Sequence, residues 1–206
     1  MDALLVVDVQ NDFMPYGALP VAEGDAVVPV ANALMRRFEL VVATQDWHPA
    51  DHGSFAMNHP GAEPGQVIQL GGVPQVLWPP HCVQGEPGAG FHSALDVGPI
   101  DYVVRKGIHR EIDSYSGFYE NDRTTPTGLE SLLRSLGVER VTVLGLATDY
   151  CVKYTALDGA EHGFDVTVVA DGYRAVELEP GDGERALDEM AAAGCRVVQS
   201  AELSGV

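Results

Sequence analysis

A recurring pair of patterns constrains this chain most. Short, nearly unbroken apolar runs alternate with stretches of helical period. Residues 3–9, 40–44, 102–105, 141–146 and 166–170 are rich in β-branched side chains and flanked by polar ones, as strands buried on both faces are. Residues 26–38 read as a helix with Val27, Val30, Ala31 and Leu34 on one face and Pro29 in its first turn. Thr127 and Glu130 have the spacing of a capping box, opening a helix that runs to Leu136 and stops at Gly137. Helices are expected at 150–162 and 184–193, each followed by a glycine, and a sixth strand at 196–199. Strand and helix in alternation predict an α/β three-layer sandwich: a parallel sheet with helices on both faces, in one domain spanning 1–206. The exception is 46–98, about fifty residues rich in Pro, Gly and His, a length that inside a compact domain signals function or an unread element.

Composition narrows the function classes. Twelve Lys and Arg against thirty Asp and Glu leave a formal charge of −18, which disfavours nucleic acid and anionic membranes as partners. Three cysteines form no disulfide framework and suggest a reducing, cytoplasmic setting. No apolar run approaches the ~18 residues of a membrane span, and the start, Met1-Asp2-Ala3, lacks the cationic region of a signal peptide. No Gly-rich phosphate loop follows the first strand, so a nucleotide cofactor is not expected.

Ligands of open parallel sheets bind beyond the carboxyl ends of the strands, and those ends carry a distinctive set here. Asp8 closes the first run, Asp46 and His48 follow the second, Lys106 the third, Cys151 the fourth and Asp171 the fifth. Cys151 falls at the start of a helix, where free N–H groups and the helix dipole favour a thiolate and could hold an oxyanion. A free cysteine is more often an inert core residue. Cys195 fits that description, while Cys82, beside His81, stays open. Asp8 in an apolar strand needs a partner, and Lys106 is the natural one, since lysine occurs only at 106 and 153. A Cys–Asp–Lys constellation would let Asp8 take the thiol proton and Lys106 steady the negative charge; the alternative is a structural ion pair. Asp171 reads as a turn after its strand.

Asp46 and His48 point the same way along an extended segment. A carboxylate with an imidazole suits zinc, iron or manganese. A third ligand must come from elsewhere. His81, held between prolines and Cys82, is the best choice, and His52 is a fourth option. Phe13, Trp47, Trp78, Tyr115 and Phe118 lie near these motifs and could wall a pocket for a flat ring.

The combination resembles the nicotinamidases, often active on pyrazinamide as well, within the isochorismatase-like cysteine hydrolases. The segments that carry it are Val7-Asp8-Val9-Gln10-Asn11-Asp12-Phe13, Asp46-Trp47-His48-Pro49, Trp78-Pro79-Pro80-His81-Cys82, Lys106-Gly107, Tyr115-Ser116-Gly117-Phe118 and Gly145-Leu146-Ala147-Thr148-Asp149-Tyr150-Cys151-Val152. The resemblance implies a six-stranded parallel sheet and a triad of Asp8, Lys106 and Cys151. It implies one divalent metal on Asp46, His48 and His81, with His52 varying in role among relatives. It implies a cis peptide at Leu146-Ala147, an oxyanion site from the N–H groups of Ala147 and Cys151, and ring contacts from Phe13, Trp78, Tyr115 and Leu146. The implied activity is hydrolysis of nicotinamide to nicotinate and ammonia, in NAD salvage, with a homo-oligomer left open. The rival readings are a cysteine hydrolase of the same fold acting on a carbamoyl compound or vinyl ether, against which the metal segments count, and a non-catalytic metal-binding protein.

Overall fold

Side-chain alternation along the strands sorts the core into two layers. On the first strand, Leu4 and Val6 face one layer and Ala3, Leu5 and Val7 the other; all five are fully buried. The computed structural model describes residues 1–203. Its strands are β1 (Asp2–Val7), β2 (Leu40–Asp46), a hairpin of β3 (Val67–Leu70) and β4 (Val73–Val76), β5 (Tyr102–Lys106), β6 (Arg140–Leu146), β7 (Asp165–Arg174) and β8 (Arg196–Val198). The helices are α1 (Val27–Met35), α2 (Leu129–Ser135), α3 (Lys153–Glu161) and α4 (Asp182–Ala192). Six strands form one parallel sheet in the order β5-β2-β1-β6-β7-β8. The expected sixth strand is therefore present.

Helix α1 covers one face with Val27, Val28, Ala31, Leu34 and Met35. The other face carries Leu129 and Leu133 of α2, Ala156 of α3 and Met190 of α4. Each fully buried Val or Leu adds ~1.5–3 kcal/mol over an exposed one, so the two layers hold the sheet without cross-links. All three cysteines are free.

The chain lays β2 and β5 on one side of β1, then crosses to place β6 on the other. The crevice at this reversal, beyond the ends of β1 and β6, is where an open α/β sheet accepts a ligand. Gly145 marks the close approach of these strands. Its φ is +129°, and a Cβ there would run into the Val7 backbone.

Several local expectations are corrected. The Thr127–Glu130 capping box does not form. Gly128, with φ +99°, is the N-cap; the Leu129 N–H reaches the Thr127 hydroxyl, while the Glu130 carboxylate turns to the Tyr119 hydroxyl, Arg134 and His162. Tertiary partners have taken the glutamate from its local role. The helix expected from residue 150 begins as a π-helical turn, Thr148–Val152, and becomes α-helical only at Lys153. Strand β7 runs through Asp171 instead of stopping before it, and Asp171 accepts hydrogen bonds from the N–H and hydroxyl of Ser200. The 46–98 excursion hides the β3–β4 hairpin, whose Gly71-Gly72 turn and internal Pro74 disguise a strand pair. Among the described residues, no helix is long and apolar enough to cross a membrane.

Candidate active site

Asp8 stands one residue past β1 with φ +49°, a left-handed conformation that aspartate tolerates better than most residues. Its carboxylate accepts the Thr44 hydroxyl at 2.6 Å and lies 2.9 Å from Lys106 Nζ. Lys106, at the end of β5, is fully buried. Its ammonium also pairs with Asp46, donates to Ser114 O at 2.8 Å and reaches Cys151 Sγ at 3.4 Å. Oxygens of Asp8 and Asp46 and the Cys151 sulfur all lie within 4.8 Å of one another. Three strand ends thus bring the expected Asp8, Lys106 and Cys151 together.

Burial pushes the Asp8 carboxyl up, with Lys106 opposing and Asp46 adding to the rise. For Asp46, burial is outweighed by Lys106 and His48, which hold the carboxyl well below the usual range. The Cys151 thiol is pushed well up by burial, against the pull of Lys106. Desolvation thus works against the thiolate that a helix start would favour, with Lys106 opposing it.

The expected metal residues also converge. Nitrogen and oxygen atoms of Asp46, His48 and His81 fall within 4.8 Å of one another, and all three residues are buried. His48 Nδ1 lies 2.8 Å from Gly107 O, and His81 Nδ1 lies 2.8 Å from Pro79 O. A carbonyl accepts only, so each Nδ1 carries hydrogen, and in a neutral ring Nε2 then keeps its lone pair for a metal. His48 Nε2 is buried without a hydrogen-bond partner, 3.6 Å from Asp46 Oδ2. An orphaned imidazole nitrogen beside a carboxylate and a second free nitrogen fits a divalent metal. Gly107, at φ +61°, lets the backbone pass this closely, since a Cβ there would overlap the His48 ring.

His52 is placed beside this cluster, its ring 4.4 Å from that of His48. Its Nε2–H donates to Ile112 O at 3.2 Å, and its Nδ1 accepts the Ser54 hydroxyl at 2.7 Å. Both nitrogens are engaged within the protein. Asp113 was not foreseen: its Oδ1 lies 3.9 Å from His48 Nε2. Its position after β5, close to Lys106, was the signal that could have found it.

A pocket partly open to solvent reaches Cys151. Phe13, Trp78, Tyr115 and Ala147 line it, as expected, together with Tyr150 and Val176, which the sequence reading missed. Leu146 does not line it. Leu144 and Leu146 project from β6 into the α1-side core, and the next residue, Ala147, supplies the wall. The Leu146-Ala147 peptide is cis. Cys82 is a core residue outside the pocket, its N–H donating to Asp12.

The isochorismatase domain family matches residues 2–202. Nicotinamidase of Escherichia coli is 48% identical over 204 residues, covering 97% of this chain and 95% of that protein. The solved nicotinamidase/pyrazinamidase of Acinetobacter baumanii superposes with a TM-score of 0.95 at 48% identity, over 98% of this chain and 97% of that one. The pyrazinamidase of Pyrococcus horikoshii, solved in complex with zinc, superposes with a TM-score of 0.80 at 42% identity, over 96% and 98% of the two chains. With the sheet, the strand-end residues and these likenesses in agreement, the chain belongs to the isochorismatase family.

Proposed function

We propose that this protein is a nicotinamidase: it hydrolyses nicotinamide to nicotinate and ammonia, accepts pyrazinamide, and so returns nicotinamide to NAD salvage. One observation carries the mechanism. Cys151 Sγ sits within 4.8 Å of the Asp8 carboxylate and 3.4 Å from Lys106, at the end of an aromatic pocket that abuts the metal-binding residues.

Cys151 rests as a thiol, and the Asp8 carboxyl is raised by burial toward the working range of a general base. Asp8 takes the thiol proton as the sulfur attacks the carboxamide carbon, so thiolate forms only as it is consumed. The N–H groups of Ala147 and Cys151 receive the oxyanion; a donor of this type is worth ~3 kcal/mol of barrier. Asp8 passes its proton to the leaving ammonia, and the acyl group remains on sulfur as a thioester. Asp8 then takes a proton from water, whose oxygen attacks the thioester. The adduct collapses by breaking the carbon–sulfur bond, Asp8 returns that proton to the departing sulfur, nicotinate leaves and the thiol is restored. Lys106 keeps Asp8 ionised between steps.

Phe13 and Trp78 enclose the pyridine ring. Asp46, His48 and His81 would hold a divalent metal, zinc with iron or manganese as the alternatives, which would supply Lewis-acid chemistry beside the ring. The direct test is ammonia release from nicotinamide and pyrazinamide by purified protein, run beside a carbamoyl amide and a vinyl ether. Release from the aromatic amides alone supports this reading. Turnover confined to the other two substrates would replace it.

A further inference from the structure

Strand β4 inverts the usual pattern. Its buried position is a glutamine, Gln75, at 1% exposure, while Pro74 is exposed and Val73 and Val76 are half-buried. Burying a carboxamide is unfavourable unless its hydrogen bonds are made, and these are. Gln75 Nε2 lies 2.7 Å from Asp113 Oδ2, 2.8 Å from Val76 O and 3.0 Å from the Tyr115 hydroxyl, two hydrogens shared among three acceptors. Its Oε1 accepts Asn121 Nδ2 at 3.1 Å. The Tyr115 oxygen also accepts Trp78 Nε1 at 3.3 Å. Asn121 closes the ring of contacts, accepting the Tyr115 N–H on its Oδ1 at 3.0 Å and donating its own N–H to Asp113 O at 2.7 Å.

Asp113, Tyr115 and Trp78 all line the pocket that contains Cys151, but Gln75 does not. We infer that Gln75 is a positioning residue for substrate. From outside the pocket, its carboxamide locks Asp113, Tyr115 and Trp78 into the one arrangement that receives a flat aromatic ring. This rests on the pyridine-carboxamide reading and deepens it. The β3–β4 hairpin thereby sets ring affinity without touching the ring. A hydrophobic residue in its place would fill the volume and leave Asp113 and Asn121 with unmet hydrogen bonds. A glutamate would match the shape but withdraw both N–H donors and set a second carboxylate against Asp113.

The test compares Gln75→Leu and Gln75→Glu. Both should raise the KM for nicotinamide about tenfold and change kcat less than threefold, the signature of lost ground-state binding. If Gln75 served packing alone, the near-isosteric Gln75→Glu would behave as wild type, so a KM within twofold of wild type overturns the inference. A second measurement needs no turnover. In a Trp47→Phe background, where Trp78 is the remaining tryptophan, acrylamide quenching of its fluorescence should rise at least twofold in either variant. Unchanged quenching counts against the inference even if nicotinamide proves not to be the substrate. Should the Gln75 variants fail to fold, Asn121→Ala removes the donor to Gln75 Oε1 from the opposite side. It should move KM and quenching in the same direction by a smaller factor, and no movement in either refutes the role. Absence of ammonia release by the wild type, by contrast, refutes the hydrolase reading alone.

Discussion

Asp46 divides its two carboxylate oxygens between Lys106 and His48. Oδ1 pairs with the buried ammonium, and Oδ2 lies 3.6 Å from His48 Nε2 and 3.9 Å from His81 Nε2. One side chain thus joins the cluster around Cys151 to the cluster that fits a metal. Asp46→Asn should lower zinc affinity at least tenfold and cut kcat/KM at least 100-fold, because it weakens a ligand and leaves Lys106 with one carboxylate partner fewer. Metal content by elemental analysis and ammonia release, measured on the same sample, check both arms.

Cys151→Ala should abolish ammonia release, a fall of more than about 1,000-fold, since the covalent route has no substitute nucleophile. Its metal content should match wild type, because Asp46, His48 and His81 approach from β2 and the 46–98 excursion. Activity above a hundredth of wild type would remove Cys151 from its proposed role.

Metal removal should act on activity and on stability together. Dialysis against a strong chelator should reduce nicotinamide turnover at least tenfold, with recovery on adding zinc. An ion that binds only the folded state stabilises by ~2.7 kcal/mol at 100 times its Kd. The melting temperature should therefore rise on reloading. A melting temperature indifferent to zinc would argue against Asp46, His48 and His81 as a ligand set.

Glu120 offers a pH test separate from catalysis. It is buried at 3% exposure, its Oε2 has no hydrogen-bond partner, and burial together with Asp113 pushes its carboxyl up to about 8. Unfolded, it titrates near 4.5. Between these values the folded chain holds a proton that the unfolded chain has lost. Its contribution to stability is therefore complete below about pH 4.5 and lost as pH rises through about 8. Glu120→Gln should flatten the loss between pH 5 and 9 and make the protein more stable at pH 9 by about 2 kcal/mol, a discounted share of ~1.4 kcal/mol per unit. Urea denaturation of both proteins at pH 5, 7 and 9 reads this directly, and parallel curves would refute it.

Much of the site was legible before any coordinates. Asp8, Asp46, Lys106 and Cys151 each follow an apolar run, and a parallel sheet gathers its strand ends at one edge, so linear pattern was enough to bring them together. Leu146 shows where such reasoning stops. Its neighbour Ala147 lines the pocket, and one step along the chain is the difference between wall and core. The thiol of Cys151 shows the same limit in energy. A helix start argued for a thiolate, but burial argued more strongly for the thiol. Glu130, expected to cap α2, bonds instead to Tyr119, Arg134 and His162.

The sequence by itself determined the sheet, its two apolar layers and the chemical identity of the groups at its carboxyl edge. These follow from the period of apolar residues and from what each strand must bury. Tertiary structure alone decided which charged groups meet, which imidazole nitrogens face a carbonyl, and that Gln75 on a hairpin would bind Asp113, Tyr115 and Asn121. Those outcomes depend on distances between residues far apart in the chain, 38 to 46 positions for the Gln75 contacts, and on how much water the packing excludes, and neither is written in any local pattern.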